Sequence, residues 1–179
     1  MLTDEDFFFG HLDHLMAVRA AVALPVIRKD FIISDRQIAQ ARLGGADAIL
    51  LIAACLGDSQ LQDLQGFARD LALDVLVEVH DAPEAVRALK AKADLVGVNN
   101  RNLKDFSISL KTTYDLLPAL LGDGRVVVSE SGISHRDHCA QLEEAGVDAV
   151  LVGESLITSP DPVAALAKLR GTLVRGLVG

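Results

Sequence analysis

Short apolar runs alternate along the chain with longer stretches in which apolar residues recur at helical spacing. The runs are three to five residues long and read as continuously hydrophobic, with little alternation. This pattern is typical of strands in a parallel sheet that is covered on both faces. Strands are predicted at residues 25–27, 48–52, 75–79, 95–98, 126–129 and 149–152.

Helices are predicted between these strands, which gives repeated strand-helix units and an α/β fold. The last helix is expected to begin near Pro162, with Asp161 as its N-cap, and to run to about Arg175. The other predicted helices span residues 13–23, 35–43, 59–71, 82–90, 110–121 and 135–145.

A weak internal repeat supports the strand-helix unit. Residues 44–51 and 145–152 share one pattern, in which a helix ends at glycine, an aspartate marks the turn and a buried strand follows. Such units could close into a barrel or lie open as a doubly wound sheet. The chain has no Gly-x-Gly-x-x-Gly after a strand and no P-loop motif, which argues against dinucleotide-binding and nucleoside triphosphatase folds.

Composition narrows the function classes. The 179 residues carry a net charge of -8, only 4% aromatic residues and no Trp, which argues against a nucleic-acid partner. The longest apolar run, residues 48–56, is too short to cross a bilayer, and the acidic N-terminus lacks the basic region of a signal peptide. We expect one cytoplasmic domain over residues 1–179, without a membrane partner.

Four polar residues lie at the carboxyl ends of predicted strands, where barrel enzymes build their active sites. They are Lys29, Glu78, Asn99 and Glu130, and each follows an apolar or glycine residue two positions earlier that shares its face of the strand. If the strands form a barrel, these positions predict that the four side chains all point into its mouth together.

Glu78 and Lys29 are the most informative pair, since a carboxylate inside an apolar strand is costly unless it is paired or protonated. Together they offer an acid and a base, but the sequence leaves open whether burial or mutual attraction dominates their ionisation. Structural alternatives are a salt-bridged glutamate at a strand end and a lysine that reaches along the surface to solvent.

Glycine-containing segments end the last two predicted strands. Ser131-Gly132 and Gly153-Glu154-Ser155 would let backbone N–H groups approach a phosphate, and the second segment could open a short helical turn. Either segment alone would be an ordinary turn, but a phosphate site after the last two strands is the usual barrel arrangement.

The remaining candidates have ordinary structural interpretations. His80 and His135 follow strand ends, and a turn or helix-start role is expected for both. The phenylalanines at 7–9 are expected in the core, the alternative being a wall of an aromatic-binding pocket. Cys55 and Cys139 lack metal or disulfide spacing and are expected to be buried small side chains, and no metal site is expected.

Six segments, in order over nearly the whole chain, match a known family. They read Leu-Thr-Asp-Glu at 2–5, Leu-Pro-Val-Ile-Arg-Lys-Asp-Phe-Ile at 24–32, Val-Glu-Val-His at 77–80, Gly-Val-Asn-Asn-Arg-Asn-Leu at 97–103, Ser-Glu-Ser-Gly-Ile at 129–133 and Val-Gly-Glu-Ser-Leu at 152–156. The chain thereby closely resembles indole-3-glycerol phosphate synthase, and the Arg-Lys-Asp-Phe and Asn-x-Arg-x-Leu segments are the specific ones.

The resemblance implies a TIM (β/α)8 barrel and a lyase of tryptophan biosynthesis. Its substrate would be 1-(2-carboxyphenylamino)-1-deoxyribulose 5-phosphate, whose indole ring closes with loss of carbon dioxide and water and without a cofactor. By position, Lys29 resembles the general acid, and Glu78 its partner in proton transfer during dehydration. Asn99 and Glu130 resemble residues that bind substrate hydroxyls, with Arg101 nearby.

The resemblance also implies how the two ends of the substrate are held. Phe31, together with one of the phenylalanines at 7–9, would line the pocket for the anthranilate ring. Backbone amides are expected to matter more than side chains at the phosphate-binding segments. These are formed by Ser131, Gly132, Gly153, Glu154 and Ser155.

The family's barrel is longer than this chain. A barrel of this type takes about 250 residues, so the resemblance implies that the first strand-helix unit and most of the second strand are absent. That first strand would bring a glutamate and a lysine, and we expect catalysis by the chain as written to suffer without them. Met1 stands where the family has valine, which suggests a GTG valine codon read as a start.

Two alternatives remain open. One is a non-catalytic phosphate-binding fragment that needs an N-terminal complement, with exposed strand edges that favour self-association. The other is a different phosphate-sugar barrel, such as phosphoribosylanthranilate isomerase, in which Lys29 and Glu78 would be structural.

Overall fold

The structure is a computed structural model that describes residues 1–171. The chain divides into two compact units, Met1–Val96 and Gly97–Gly179, which we call unit 1 and unit 2. Strands alternate with helices in both, which confirms the predicted α/β fold. The strands are β1 (Ile27–Arg28), β2 (Ala48–Ile52), β3 (Asp74–Val79), β4 (Leu95–Asn99), β5 (Val126–Glu130) and β6 (Ala149–Leu151).

The helices follow the predicted order, with two short additions. Of these, α1 was not foreseen, and α8 is the short helical turn expected after Gly153. A 3₁₀ turn, Ala53–Cys55, follows β2. The helices are α1 (Glu5–Phe8), α2 (Leu12–Ala21), α3 (Asp35–Leu43), α4 (Asp58–Asp70), α5 (Ala82–Lys90), α6 (Lys111–Leu120), α7 (Arg136–Ala145), α8 (Glu154–Ile157) and α9 (Pro162–Arg170).

Unit 1 is built on three parallel strands. β1 pairs with β2, and β2 pairs with β3 in a register that sets Ile52 opposite Glu78. Leu2 forms a parallel bridge to Lys29, so the chain's first residues lie beside the end of β1. The side chains of β2 are almost wholly buried, as the continuous hydrophobic run predicts.

The internal repeat has a structural cause. Asp47 Oδ2 accepts a hydrogen bond from the backbone N–H of Val26 at 2.6 Å, and Asp148 Oδ2 accepts one from Val127 at 2.8 Å. In return, the backbone N–H of each aspartate donates to the carbonyl of the same residue, at 2.8 and 3.0 Å. The aspartate therefore pins the start of one strand to the start of the strand before it.

In unit 2, β5 pairs with β6 in parallel, and Glu130 lies opposite Leu151. The repeat predicted a buried strand here, and this is wrong for β6, since Ala149 and Val150 are exposed. β6 pairs with β5 along one edge, and no other strand pairs with it within residues 1–171.

Two further expectations about burial are wrong. Phe7, Phe8 and Phe9 are not core residues, because their exposed fractions are 73%, 49% and 89%. The short helix α1 ends here on a left-handed residue at the surface. Cys55 is exposed and Cys139 is half-buried, so neither cysteine is the buried side chain that was expected.

The last described helix, α9, begins where the sequence predicted. α9 begins at Pro162, and the Asp161 carboxylate caps it by accepting from the backbone N–H of Ala164 at 2.9 Å. The predicted end near Arg175 lies outside the described residues, and the single domain over 1–179 stays a prediction. Among the helices of the described residues, none is long and apolar enough to cross a membrane.

Candidate active site

Lys29 and Glu78 meet in unit 1. Lys29 directly follows β1, Glu78 lies near the carboxyl end of β3, and the Lys29 Nζ to Glu78 Oε2 distance is 3.0 Å. The glutamate side chain is only 3% exposed, whereas the lysine side chain is 28% exposed. A buried carboxylate is thus paired with an ammonium group that solvent can still reach, which is an arrangement suited to proton transfer.

His80 contacts the same glutamate from the other side. Its Nε2 lies 3.2 Å from Glu78 Oε1, as an ion-pair contact that is not a well-aligned hydrogen bond, and its Nδ1 lies 3.0 Å from Glu84 Oε2. Glu84 also accepts from the backbone N–H of His80 at 2.8 Å. The sequence assigned His80 a turn or helix-start role and missed this contact with Glu78.

Helix capping explains why Glu84 reaches back to His80. Asp81 is the N-cap of α5, and its carboxylate accepts from the backbone N–H of Glu84 at 2.9 Å. A glutamate three residues after an N-cap commonly folds back over the helix start. Here the Asp-x-x-Glu spacing directs that glutamate to the backbone and ring of the residue before the cap.

The two carboxylates fix the charge of His80. Burial alone would lower the pKa of His80, but the hydrogen bonds and charges of Glu78 and Glu84 outweigh it and raise this pKa to about 9. Burial opposes ionisation of Glu84 as well, yet its hydrogen bonds with His80 hold the pKa of Glu84 below its usual range. At neutral pH His80 is therefore an imidazolium between carboxylates.

A buried ion-pair network fixes the backbone beside Lys29. Arg28 Nη2 lies 2.8 Å from Asp30 Oδ2, and Thr3 Oγ1 donates to the same oxygen at 2.6 Å. Arg28 Nη1 also donates to the carbonyl of Gln37 at 2.6 Å. These contacts hold the residues on both sides of Lys29, and the sequence had not singled out this positioning role.

The exposed phenylalanines of α1 form an aromatic cluster with Phe31. The ring centres of Phe7 and Phe31 are 5.7 Å apart in an edge-to-face arrangement, and those of Phe8 and Phe31 are 6.1 Å apart and stacked. Phe31 itself is 36% exposed. The cluster therefore offers aromatic surface to solvent, as the aromatic-pocket alternative requires.

Asn99 and Ser131 are joined in unit 2. Asn99 Oδ1 accepts from Ser131 Oγ at 2.8 Å and from the backbone N–H of Arg101 at 3.0 Å. Glu130 is the last residue of β5, directly before Ser131, and it is only 1% exposed. The structure thus brings together four of the predicted site residues at the ends of β4 and β5.

A buried hydrogen-bond network that the sequence did not indicate supports these residues. The Asn100 amide group donates to Ser129 Oγ at 3.0 Å and to the carbonyls of Glu130 and Ser131 at 2.9 and 3.2 Å. Its Oδ1 accepts from the backbone N–H of Thr113 at 3.1 Å and from Thr113 Oγ1 at 2.8 Å. Thr113 is the third residue of α6, so Asn100 caps that helix from a distant loop.

The segment after β5 adopts a left-handed conformation. Ser131 has φ of 66° and Gly132 has φ of 77°. A Cβ on Gly132 would lie 2.5 Å from Ile108 Cγ2, so this position requires glycine on both counts. The left-handed turn therefore follows directly on the end of β5.

The side chains of Glu154 and Ser155, in the segment after β6, contact other parts of unit 2. Arg101 Nη2 lies 2.6 Å from Glu154 Oε2, and Ser155 Oγ donates to the carbonyl of Ile133 at 2.9 Å. Gly153 precedes α8, and a Cβ there would meet nothing within 4 Å. Backbone amides are therefore the groups of this segment that remain suited to an anion.

One cavity in unit 2 lies apart from most of these residues. Its volume is about 380 Å³, and Ser134, His135 and Lys168 are among the residues that line it. Of the predicted site residues only Ser155 borders it, so the geometry of strand ends, not cavity size, defines the candidate site. Within residues 1–171 no three His, Cys, Asp or Glu side chains cluster as metal ligands.

Comparison with known proteins gives a consistent result. A sequence model of the family described as Indole-3-glycerol phosphate synthase matches residues 1–169. Proteins of that name from Variovorax paradoxus (strain S110) and Albidiferax ferrireducens are both 53% identical to this chain, over 94% and 96% of its length. The chain spans only 63% and 65% of those relatives.

Solved structures resemble the fold at much lower sequence identity. A 3-hexulose-6-phosphate synthase gives a TM-score of 0.75 at 18% identity, covering 95% of this chain and 84% of that one. A mutant tryptophan synthase alpha-subunit from Pyrococcus furiosus gives 0.69 at 17% identity, covering 90% and 72%. At these identities the likeness shows the fold alone, and the neighbours are TIM-barrel proteins.

Proposed function

The chain belongs to the indole-3-glycerol phosphate synthase family, and on that premise we propose that it carries the ring-closing lyase chemistry of tryptophan biosynthesis. The reaction converts 1-(2-carboxyphenylamino)-1-deoxyribulose 5-phosphate into indole-3-glycerol phosphate, carbon dioxide and water. The single observation that carries the proposal is the Lys29–Glu78 pair, 3.0 Å apart, with its carboxylate buried.

Lys29 acts as the general acid in this proposal. Its ammonium group donates a proton to the substrate carbonyl oxygen as the new carbon–carbon bond forms, because a cation polarises the carbonyl and stabilises the negative charge that develops there. Loss of carbon dioxide then leaves its bonding electrons on the ring and restores neutrality. Glu78 takes part in the proton transfers by which the hydroxyl leaves as water.

Residues of unit 2 are assigned roles in substrate binding. Asn99 and Glu130 hydrogen-bond its hydroxyl groups, and the contact between Ser131 and Asn99 supports the orientation of that amide. Arg101 orders the charged surroundings through its ion pair with Glu154.

The phosphate is bound by backbone amides. The left-handed turn at Ser131 and Gly132 and the start of α8 after Gly153 present N–H groups without bulky side chains. Glu154 and Ser155 contribute their amides, since their side chains contact Arg101 and a backbone carbonyl. Phe31, with Phe7 and Phe8, packs against the anthranilate ring.

We further propose that the strands belong to a partial (β/α)8 barrel, running from the end of the second barrel strand to the last helix. The parallel bridge between Leu2 and Lys29 supports this proposal, because a neighbouring parallel strand would make such a contact with the end of β1. Self-association through strand edges remains an expectation of this proposal.

A second candidate is a non-catalytic phosphate-binding fragment that needs an N-terminal complement. The coverage of 63% to 65% of the relatives favours it, because residues outside the matched part of those relatives could take part in catalysis. A different phosphate-sugar barrel would make Lys29 and Glu78 structural.

Turnover distinguishes these candidates. The carboxyphenylamino substrate is added to this chain and to the chain extended at its N-terminus with the corresponding segment of a relative. Turnover by the chain alone supports the lyase without a complement, and turnover only by the extended form supports the fragment-plus-complement arrangement. If neither form turns over, the synthase function is wrong; if Lys29→Ala and Glu78→Gln retain activity, the isomerase-type alternative gains support.

A further inference from the structure

Four charged side chains form a continuous series at the carboxyl end of β3. Lys29 Nζ contacts Glu78 Oε2 at 3.0 Å, and the other carboxylate oxygen, Oε1, lies 3.2 Å from His80 Nε2. His80 Nδ1 in turn lies 3.0 Å from Glu84 Oε2. Each oxygen of Glu78 therefore faces a cation, and each nitrogen of His80 faces a carboxylate.

Three of the four side chains, all except Lys29, are largely excluded from solvent. The exposed side-chain fractions are 3% for Glu78, 11% for His80 and 15% for Glu84. With His80 protonated, the series holds two positive and two negative charges and is neutral. With His80 neutral, the four side chains together would carry a net negative charge in this largely buried place, which is costly.

On the basis of the proposed lyase function, we infer that His80 and Glu84 are a positioning pair for Glu78. Glu84 holds the imidazolium ring, and the ring's Nε2 keeps Glu78 ionised and its other oxygen turned toward Lys29. Because the imidazolium shares the negative charge of Glu78, Lys29 is bound less tightly and donates its proton more readily to the substrate. His80 acts through Glu78 and need not touch the substrate.

The sequence position of Glu84 makes this arrangement rigid. Its backbone N–H is bound by the Asp81 cap, and its carboxylate accepts from both the backbone and the ring of His80. Three hydrogen bonds therefore fix the position of Glu84 relative to His80. The imidazolium is preorganised before substrate arrives, which is how an enzyme avoids reorganisation during reaction.

Other ionisable groups lie near the pair and bear on its pH dependence. Partial desolvation raises the pKa of the Cys55 thiol, and the nearby charges of Glu78 and Glu84 raise it further, which favours the neutral thiol. Arg87 favours the ionised form of Glu84. The charged groups to be considered around His80 are Glu78 on β3, Asp81, Glu84 and Arg87 at α5, Cys55 on the 3₁₀ turn, and Lys29 after β1.

Glu84→Gln tests the inference, because it keeps the shape of the side chain and removes its charge. The variant is made in the form of the chain that is active, either alone or with the N-terminal extension. Near pH 8.5 we expect its kcat to fall about 10-fold or more while its KM changes less than about 2-fold, because the substitution impairs the positioning of Glu78 and not substrate binding. Near pH 6 the ring is protonated even in this variant, so kcat should recover to within about 2-fold of the unaltered chain. A merely structural role would give the same loss at both pH values.

Two further variants complete the design. His80→Gln should lower kcat at every pH, because glutamine cannot be protonated to restore the positive charge of the imidazolium. Glu143→Gln, at the exposed ion pair with Arg136, is the matched control and should behave like the unaltered chain.

Histidine NMR provides a readout that does not need turnover. In the 179-residue chain, the signal that disappears in His80→Gln should titrate near pH 9, and its midpoint should fall by about 1 to 2 units in Glu84→Gln. A normal midpoint in the unaltered chain, or a loss of kcat in Glu84→Gln that is equal at both pH values, would overturn the positioning role. Absence of turnover with a midpoint near pH 9 would instead refute the lyase function and leave the charged series in place.

Discussion

Replacing Asn100 by alanine should destabilise unit 2 strongly, although the side chain is expected to touch no substrate. Asn100 is 2% exposed, and its amide makes five hydrogen bonds of 2.8 to 3.2 Å. Two of them satisfy Thr113 at the start of α6, whose own N-cap residue, Leu110, provides no side-chain cap.

The magnitude follows from the groups left behind. The N–H of Thr113 and the hydroxyls of Thr113 and Ser129 are buried, and the two hydroxyls still bond each other at 2.8 Å. Leaving a buried donor or acceptor unpaired costs about 1 to 3 kcal/mol. We therefore expect a loss of about 3 to 4 kcal/mol in the free energy of unfolding, including the lost helix cap.

The assay can be local, because the chain has one Tyr and no Trp. That residue, Tyr114, follows Thr113 in α6, so its fluorescence during urea unfolding reports on this part of unit 2. Asn102→Ala is the matched control: Asn102 is exposed, and its side chain accepts one hydrogen bond from the backbone N–H of Lys104 at 2.8 Å. A loss below about 1 kcal/mol for Asn100→Ala, or an equal loss in both variants, would refute the reasoning.

Three further predictions concern other parts of the chain. Gly132→Ala should cost about 1 to 2 kcal/mol in urea unfolding and weaken binding of inorganic phosphate by calorimetry, because φ is 77° and the new methyl group would meet Ile108. The rise of the His80 pKa from 6.5 to about 9 corresponds to about 3 kcal/mol in the free energy of unfolding, and solvent screening reduces the expected contribution to roughly 1 to 2 kcal/mol. The unaltered chain should therefore have a higher free energy of unfolding than His80→Gln below pH 6.5, and this difference should disappear as the pH rises through about 9. Urea unfolding that shows the same difference across this pH range would contradict the prediction. Asp148→Ala should cost about 1 to 3 kcal/mol in urea unfolding, because it leaves the backbone N–H of Val127 unpaired at the start of β5, and an unchanged midpoint would contradict the account of the repeat.

Much of the fold is readable from local patterns. The apolar runs predicted β2 to β6 closely, the run at 25–27 overlaps β1 only at Ile27, and α3 and α5 begin and end where predicted. Buried parallel strands leave a strong pattern because both faces are apolar. Strand alternation likewise predicted that Lys29 and Glu78 would share a face, and they are in contact.

What the sequence did not reveal depends on contacts between distant segments. Asn100 caps a helix that starts 11 residues later, and nothing at Leu110 suggests where its cap comes from. His80 resembled an ordinary turn residue because its role comes from Glu84, which folds back over the helix start.

Burial was harder to predict than element type. Phe7 to Phe9 are apolar and were expected inside, but all three are exposed, and Phe7 and Phe8 lie beside Phe31. β6 has the composition of a buried strand yet is exposed, because burial depends on which elements cover a strand and not on its own residues.

The central claim is that Lys29 and Glu78 perform acid-base chemistry on a carboxyphenylamino ribulose phosphate. The most direct measurement is the rate of indole product formation, followed by fluorescence, in the catalytically competent form of the chain and in its Lys29→Ala variant. The account predicts product from the unaltered protein and a fall of about 100-fold or more in kcat for the variant, with substrate still bound. Equal rates in the two proteins would contradict it.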